Sequence, residues 1–315
     1  MIIKWRYALG SFLVCMAVIT MNNVTAHSED AEPDIEDVIQ GNIKSMGSPE
    51  TVEGITIRGV GGTALVEFIQ GGTGKMQGQA MFFSEKKRLG IIMKFGATDY
   101  PGEYFAFDGK KVMANQISPG QRSPLADFIY RYGALVKEGV LGGVLSLNWP
   151  LLDLKKSKSV LKYKGIEKID GKELYEVEYN LSDRKLNNLK TTLYFEQGTF
   201  RHVRTEYSLS VRGEMGLQAN AVVIESGMPS SSSDLSSGGS VRAGSIQDIV
   251  PDSHYMLIEK FSDFKEVDGL TLPHRYDLEY SLEGQGSTFL ANWTILASQF
   301  MHTGKVDESF YKADE

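Results

Sequence analysis

The chain has 315 residues, a net charge of −7 and 42% hydrophobic residues, enough for one large domain or two small ones. Its acidic balance, with no basic run, argues against nucleic acid and against electrostatic docking on anionic lipid. Cys15 is the single cysteine, so no disulfide framework holds the fold and a core must do so.

Met1 to Ala26 reads as an export signal. Lys4 and Arg6 give it a positive start, Ala8 to Ile19 is an apolar run too short to span a bilayer, and Val24-Thr25-Ala26 fits a small-residue cleavage site. Cys15 follows Phe-Leu-Val without the small residue that a lipid-attachment site wants before its cysteine, so lipidation there is not expected. Cleavage near Ala26 removes two positive charges and leaves no thiol, which excludes a cysteine nucleophile. After Ala26 no apolar stretch is long enough to cross a membrane.

Ile35, Val38, Ile39, Ile43 and Met46 fall at helical spacing behind Asp34, and Gly47-Ser48-Pro49 ends the pattern. One apolar stripe means that this helix lies against a sheet. Strands are predicted at Val52 to Arg58, Ala64 to Gln70, Lys75 to Ser84, Leu89 to Phe95, Glu103 to Phe107 and Lys111 to Ile117. The first two are separated by a turn at Gly59 to Gly62, and Asp108-Gly109 supplies a two-residue hairpin turn. Spacings this short leave no room for crossover helices, so the sheet is antiparallel. Met81 to Phe83, Ile91 to Met93 and Tyr104 to Phe107 are apolar on both sides, which predicts cover on both faces.

The region from Arg122 to Leu154 breaks the pattern. Ser123 caps a helix with Pro124 at its first position, and Leu125, Phe128, Ile129, Tyr132, Leu135 and Val136 repeat at helical spacing. Beyond it, Gly142-Gly143, Trp149 and Pro150 lie among leucines, too apolar for an exposed loop. Strands resume at Ser159 to Glu167, Glu173 to Leu181, Lys190 to Glu196 and Phe200 to Val211 with clean alternation, hence one wet face. Gly227 to Gly244 is a flexible Ser/Gly-rich loop, followed by strands at His254 to Phe264, Leu270 to Leu282 and Ser287 to Phe300 and a polar tail from Asp307. Asp170-Gly171 and Asp268-Gly269 mark two further hairpins.

Signs of catalysis are weak. Gly59 to Ala64 loosely matches a dinucleotide fingerprint, but a strand follows where a helix N-terminus is required. Gly72-Thr73-Gly74-Lys75 lacks the Ser or Thr of a phosphate loop. His202, His254, His274 and His302 stand singly, without metal-ligand spacing, and no Gly-x-Ser-x-Gly elbow occurs. No metal and no cofactor are expected. What stands out is an apolar excess: Phe82, Phe95, Tyr104 and Phe107 on strands, with Phe128, Tyr132, Leu135 and Trp149 in the insertion, which residue by residue reads as a closed core and as a set reads as a lining that a helical lid covers.

The order of these features resembles the LolA/LolB-like outer-membrane lipoprotein carriers. The resemblance rests on the export signal, the early amphipathic helix, Glu85-Lys86-Lys87-Arg88 between two strands, Phe107-Asp108-Gly109-Lys110-Lys111-Val112, and Ser123-Pro124-Leu125 opening a lid helix. Ile169 to Tyr175 and Asp268 to Pro273 are similar to its broader relatives. It implies a mainly β (α+β) fold: a strongly curved antiparallel sheet forming an unclosed barrel, with an N-terminal helix and an inserted lid at about 122–154, all in one domain, 27–315. It further implies a monomeric, non-enzymatic periplasmic carrier of lipid or lipoprotein acyl chains, served by an inner-membrane release complex and an outer-membrane acceptor. Arg88, followed here by Leu89 where the family has proline, is the candidate lid latch. Two other readings stand beside this one: an envelope sensor or scaffold of the same fold that binds a protein partner, and a secreted hydrolase with paired carboxylates in a polar cleft.

Overall fold

The structure is a computed structural model that describes residues 33–72, 74–153, 160–183, 186, 188–211, 252–284 and 287–311. The export signal and the Ser/Gly-rich loop expected at 227–244 lie outside the described residues. The described residues form one compact unit from Pro33 onward.

The unit opens with α1 (Ile35–Met46). Asp34 caps it, accepting from Asp37 N at 2.9 Å while the Asp37 carboxylate accepts from Asp34 N, a reciprocal box that satisfies two otherwise orphaned donors. Val38, Ile39 and Met46 form its buried stripe. A short α2 (Pro49–Gly54) follows, capped by Ser48, where a strand from Val52 was expected. Ser-Pro-Glu is a strong helix start and overrides the β-branched pair Thr51-Val52.

Twelve strands then form one antiparallel sheet: β1 (Ile57–Gln70), β2 (Gly74–Glu85), β3 (Arg88–Phe95), β4 (Gly102–Phe107), β5 (Val112–Ala114), β6 (Leu161–Ile169), β7 (Lys172–Tyr179), β8 (Leu189–Glu196), β9 (His202–Val211), β10 (Ser253–Val267), β11 (Leu270–Gly284) and β12 (Ser287–Met301). Their order is β5-β4-β3-β2-β1-β12-β11-β10-β9-β8-β7-β6. Two meanders thus run outward from the β1–β12 pair, and the sheet is unclosed, with β5 and β6 at its edges. The connection between those edges is the apolar insertion, Arg122 to Leu152, which contains α3 (Pro124–Arg131), α4 (Ala134–Lys137) and two 3₁₀ turns at Gly143–Leu145 and Pro150–Leu152.

Three local expectations are corrected. The turn placed at Gly59 to Gly62 does not exist: β1 runs straight through, with a register shift between Gly61 and Gly62 against β12. A Cβ on Gly62 would stand 2.0 Å from the Leu296 carbonyl oxygen. The glycine is there because two backbones approach at a bulge. Asp108-Gly109 is not a two-residue turn either; Phe107 pairs with Val112, and the Asp108 carboxylate accepts from Lys110 N and Lys111 N, both at 2.7 Å. A side-chain-stabilised turn of four residues fills the place. By contrast, Asp170-Gly171 and Asp268-Gly269 both take positive φ and close tight hairpins. The third correction is β5, which ends at Ala114 and not Ile117.

The two-sided apolar strands are covered on both faces. On the inner face, Phe82, Ile91 and Phe105 lie side by side across β2, β3 and β4, and the insertion covers them. On the outer face, Phe83, Gly90 and Ala106 form the matching row. The segment Glu308–Tyr311, expected to be a loose polar tail, is a 3₁₀ turn that covers this row. Phe310 stacks on Phe83 at 4.4 Å between ring centroids, and Tyr311 is fully buried.

Candidate functional site

The same insertion touches strands from both ends of the sheet order, so the inner face curls around it. Gly133 meets the Val112 side chain on edge strand β5, Gly142 meets the Phe82 ring on β2, and Gly143 meets Phe261 and His202 on β10 and β9. Glu138 accepts from the Tyr179 hydroxyl on β7 at 3.0 Å and from the Ser182 backbone and hydroxyl. Leu125, Phe128, Ile129, Leu135, Val136, Val140, Leu141, Leu145, Trp149 and Leu151 of the insertion are all buried. At about 1.5–3 kcal/mol for each large apolar side chain, this burial is the main force holding the insertion in place.

A few buried polar groups fix its position. At its start, the Ser123 hydroxyl both caps α3 by accepting from Ala126 N and donates to Glu103 at 2.8 Å. Glu103 also accepts from Tyr100, which in turn accepts from the Trp293 indole at 2.7 Å. In its middle, Gly142 N donates to Glu259 at 2.8 Å, while the Tyr207 and Tyr276 hydroxyls hold the same carboxylate from β9 and β11. Burial pushes both acids up to about 7, against the pull of their donors. Next, Arg58 donates to the carbonyls of Val144 at 2.6 Å and Leu145 at 3.3 Å. Leu147 N donates to Ser84 at 2.8 Å. Finally, the Trp149 indole donates to Asn42 of α1 at 3.1 Å and packs on His202, with ring centroids 4.5 Å apart. His202 is fully buried, and desolvation lowers it to about 3, so it is a neutral ring at any ordinary pH.

The residues expected to form the lining fall into three groups. Phe82, Phe95 and Phe107 are buried on the inner face, and Phe128, Leu135 and Trp149 are buried in the insertion that faces them. Tyr132 is partly buried beside Phe128, with ring centroids 4.9 Å apart. Tyr104 lies on the opposite face, where its hydroxyl donates to the Ser309 carbonyl at 2.7 Å beneath the C-terminal turn. Strand parity decides this: Tyr104 pairs with Ile92 between the inward-facing Glu103 and Phe105. Arg88 does not reach the insertion. It sits at a hairpin end, paired with Glu85 and with Glu308 and lying over the Tyr311 ring. The arginine that does hold the insertion is Arg58, which sequence reasoning passed over because it closed an expected strand.

The outer face carries an open groove of about 600 Å³ across β2, β1, β12, β11 and β10. Its carboxylates Glu67, Asp277 and Glu279 are tied to Lys75, Arg275 and Lys260 respectively. Among the described residues no group of His, Cys, Asp and Glu is arranged to hold a metal. No helix among them is long and apolar enough to cross a membrane.

No family model and no curated protein matches the chain. Among solved structures, it is similar to a putative outer membrane lipoprotein-sorting protein domain from Vibrio parahaemolyticus, at 10% identity and a TM-score of 0.41, covering 87% of this chain and 94% of that one. A LolA superfamily protein from Nitrosomonas europaea gives 11% identity and 0.41, covering 89% and 99%. The MucA/MucB complex of Pseudomonas aeruginosa gives 10% and 0.22, covering 83% and 94%. The strand order leaves the sheet unclosed, and the insertion's contacts with strands near both of its edges show the inner face curled around that insertion.

Proposed function

We propose that this protein is a non-enzymatic carrier of lipid or lipoprotein acyl chains, and that the insertion fills the carrier's interior when no cargo is bound. The observation that carries the reading is the path of the chain. One apolar segment, no part of the sheet, leaves one edge strand, lines the inner face and rejoins the other edge. Displacing it exposes Phe82, Phe105, Phe107 and Phe261 as an apolar trough. Left-handed glycines at 139, 142 and 143 give the segment places to bend.

The energetics suit reversible loading. An acyl chain of about 16 carbons gains roughly 0.8 kcal/mol per buried CH₂, on the order of 10 kcal/mol in all. Against this stands the apolar burial of the displaced insertion, about 1.5–3 kcal/mol for each large side chain that loses its cover. Terms of opposite sign let cargo be taken up and given back. The export signal expected at Met1 to Ala26 supports a periplasmic place for this work. The carboxylates of the outer groove are each held by a cation, an arrangement that suits a solvated surface more than an acid–base pair.

Native mass spectrometry with solvent extraction of the purified protein tests the reading, together with uptake of a fluorescent fatty acid. Hydrogen exchange supplies the structural readout: amides of residues 134–149 should exchange faster on loading. Absence of extracted lipid together with absence of uptake overturns it.

A further inference from the structure

Arg58 is the interior's anomaly. It is 2% exposed, on the inner face of β1, and burial lowers it to about 10. Buried guanidinium groups are ordinarily met by a carboxylate, yet among the described residues no carboxylate pairs with this one. Among the described residues its Nη1 is met by the two carbonyls of Val144 and Leu145 alone, and its Nε has no hydrogen-bond partner. Directly across the β1–β2 ladder stands Ser84, fully buried, whose Oγ lies 2.8 Å from Leu147 N. A cation and a hydroxyl therefore sit side by side on an apolar wall, both turned to one short stretch of the insertion, residues 144–147. That stretch offers the guanidinium two oxygens bearing partial negative charge, which is what a carboxylate or phosphate head would offer with a full charge.

Resting on the carrier reading above, we propose that Arg58 and Ser84 form a head-group site for an amphiphile with an anionic head, and that the Val144 and Leu145 carbonyls occupy this site when the insertion is in place. The head and the insertion then compete for the guanidinium, while the Ser84 hydroxyl, which donates to the Arg88 carbonyl at 3.3 Å and accepts from Leu147 N, turns to the head once Leu147 has left. Cargo with a charged head lifts residues 144–147 off the wall and keeps the guanidinium satisfied; cargo with a neutral head offers it only an uncharged acceptor. A charge-assisted hydrogen bond exceeds a neutral one by enough to favour the anion by about tenfold or more.

The test measures binding of hexadecanoic acid, hexadecyl phosphate and 1-hexadecanol to the full-length protein by native mass spectrometry and by displacement of a bound fluorescent probe. The wild type is expected to bind both anions at least about tenfold more tightly than the alcohol, and Arg58→Gln should bring that ratio to about one while still taking up the alcohol. Ser84→Ala is expected to reduce the ratio by a few-fold. Preference for the acid alone or the phosphate alone would support the site and identify the head. Equal binding of all three by the wild type overturns the head-group site and leaves the carrier reading intact. Binding of none overturns both. A preference for anions that survives Arg58→Gln overturns the assignment to this residue. The wild-type ratio decides whether the protein prefers an anionic head even if a variant fails to fold, and Arg58→Lys, which keeps the charge, should then retain that preference.

Discussion

Glu259 gives the sharpest test of the interior. Its carboxylate is wholly buried and accepts from Gly142 of the insertion, Tyr207 of β9 and Tyr276 of β11. Burial raises it from 4.5 to about 7. Between those values the folded protein keeps a proton that the unfolded chain has released. Stability therefore falls as pH rises through that window and levels off above it. At about 1.36 kcal/mol per pKa unit, the loss between pH 5 and pH 8 comes to about 3 kcal/mol. Glu259→Gln keeps the volume and removes the titration. Any fixed penalty for a mispaired donor is the same at both pH values, so the change in the variant–wild-type difference isolates the ionisation. Glu103, also raised to about 7, and His202, lowered to about 3, are present in both proteins and cancel. The variant should gain about 3 kcal/mol on the wild type between pH 5 and pH 8, or roughly 6 °C in Tm for a unit of this size. Circular dichroism melts and urea titrations at the two pH values measure it. A difference that stays constant, or one that shrinks toward pH 8, would refute the buried and ionisable position of Glu259.

Trp149→Ala removes the indole bond to Asn42 and the packing on His202 and should cost about 3–5 kcal/mol in urea unfolding. Arg88→Ala breaks partly exposed ion pairs with Glu85 and Glu308; it should change stability by about 1 kcal/mol or less, with lipid uptake unchanged. Gly90→Ala places a Cβ 2.4 Å from the Phe310 carbonyl oxygen, so the C-terminal turn should lift. Faster hydrogen exchange at residues 307–311, with the inner-face strands unchanged, is the expected result.

Much of the fold was legible because the signals are local. Alternation in β7, β9 and β11, the Asp-Gly hairpins at 170 and 268, and the Ser123-Pro124 helix start each depend on residues within one turn or one strand. Two of the failures share one physical cause, a partner distant in sequence. Gly59 to Gly62 reads as a turn until β12 lies alongside, when Gly62 becomes the only kind of residue that fits beneath Leu296. The tail from Asp307 reads as polar, but it carries Phe310 and Tyr311, whose meaning depends on an apolar row 200 residues earlier in the chain, as the Tyr104–Ser309 bond shows by its separation of 205. Two-sided apolar strands correctly predicted a second cover, without saying which segment would supply it.

The site was half legible for a related reason. An apolar lid can be found from periodicity, since Leu125, Phe128, Ile129, Leu135 and Val136 repeat on one face. Its anchors cannot, because Arg58, Ser84, Glu103 and Glu259 look in sequence like the polar residues of a wet sheet face. Only strand register turns them inward: Arg58 pairs with Ser84, and Glu103 with Met93, on the side that the insertion covers. Burying four such groups costs stability unless each finds a partner. In this fold each has a partner in the backbone or cap of the insertion, beside those that Glu103, Glu259 and Ser84 find on the sheet side: Ser123 for Glu103, Gly142 N for Glu259, the Val144 and Leu145 carbonyls for Arg58, and Leu147 N for Ser84. An insertion that merely completed a core would need only its leucines. One that is also held by polar groups at fixed points has a defined seat to leave and to return to. On the proposed carrier reading, that is the requirement for a plug that gives way to cargo and closes again, and it makes the anchors, more than the aromatic lining, the place where mutation should separate loading from folding.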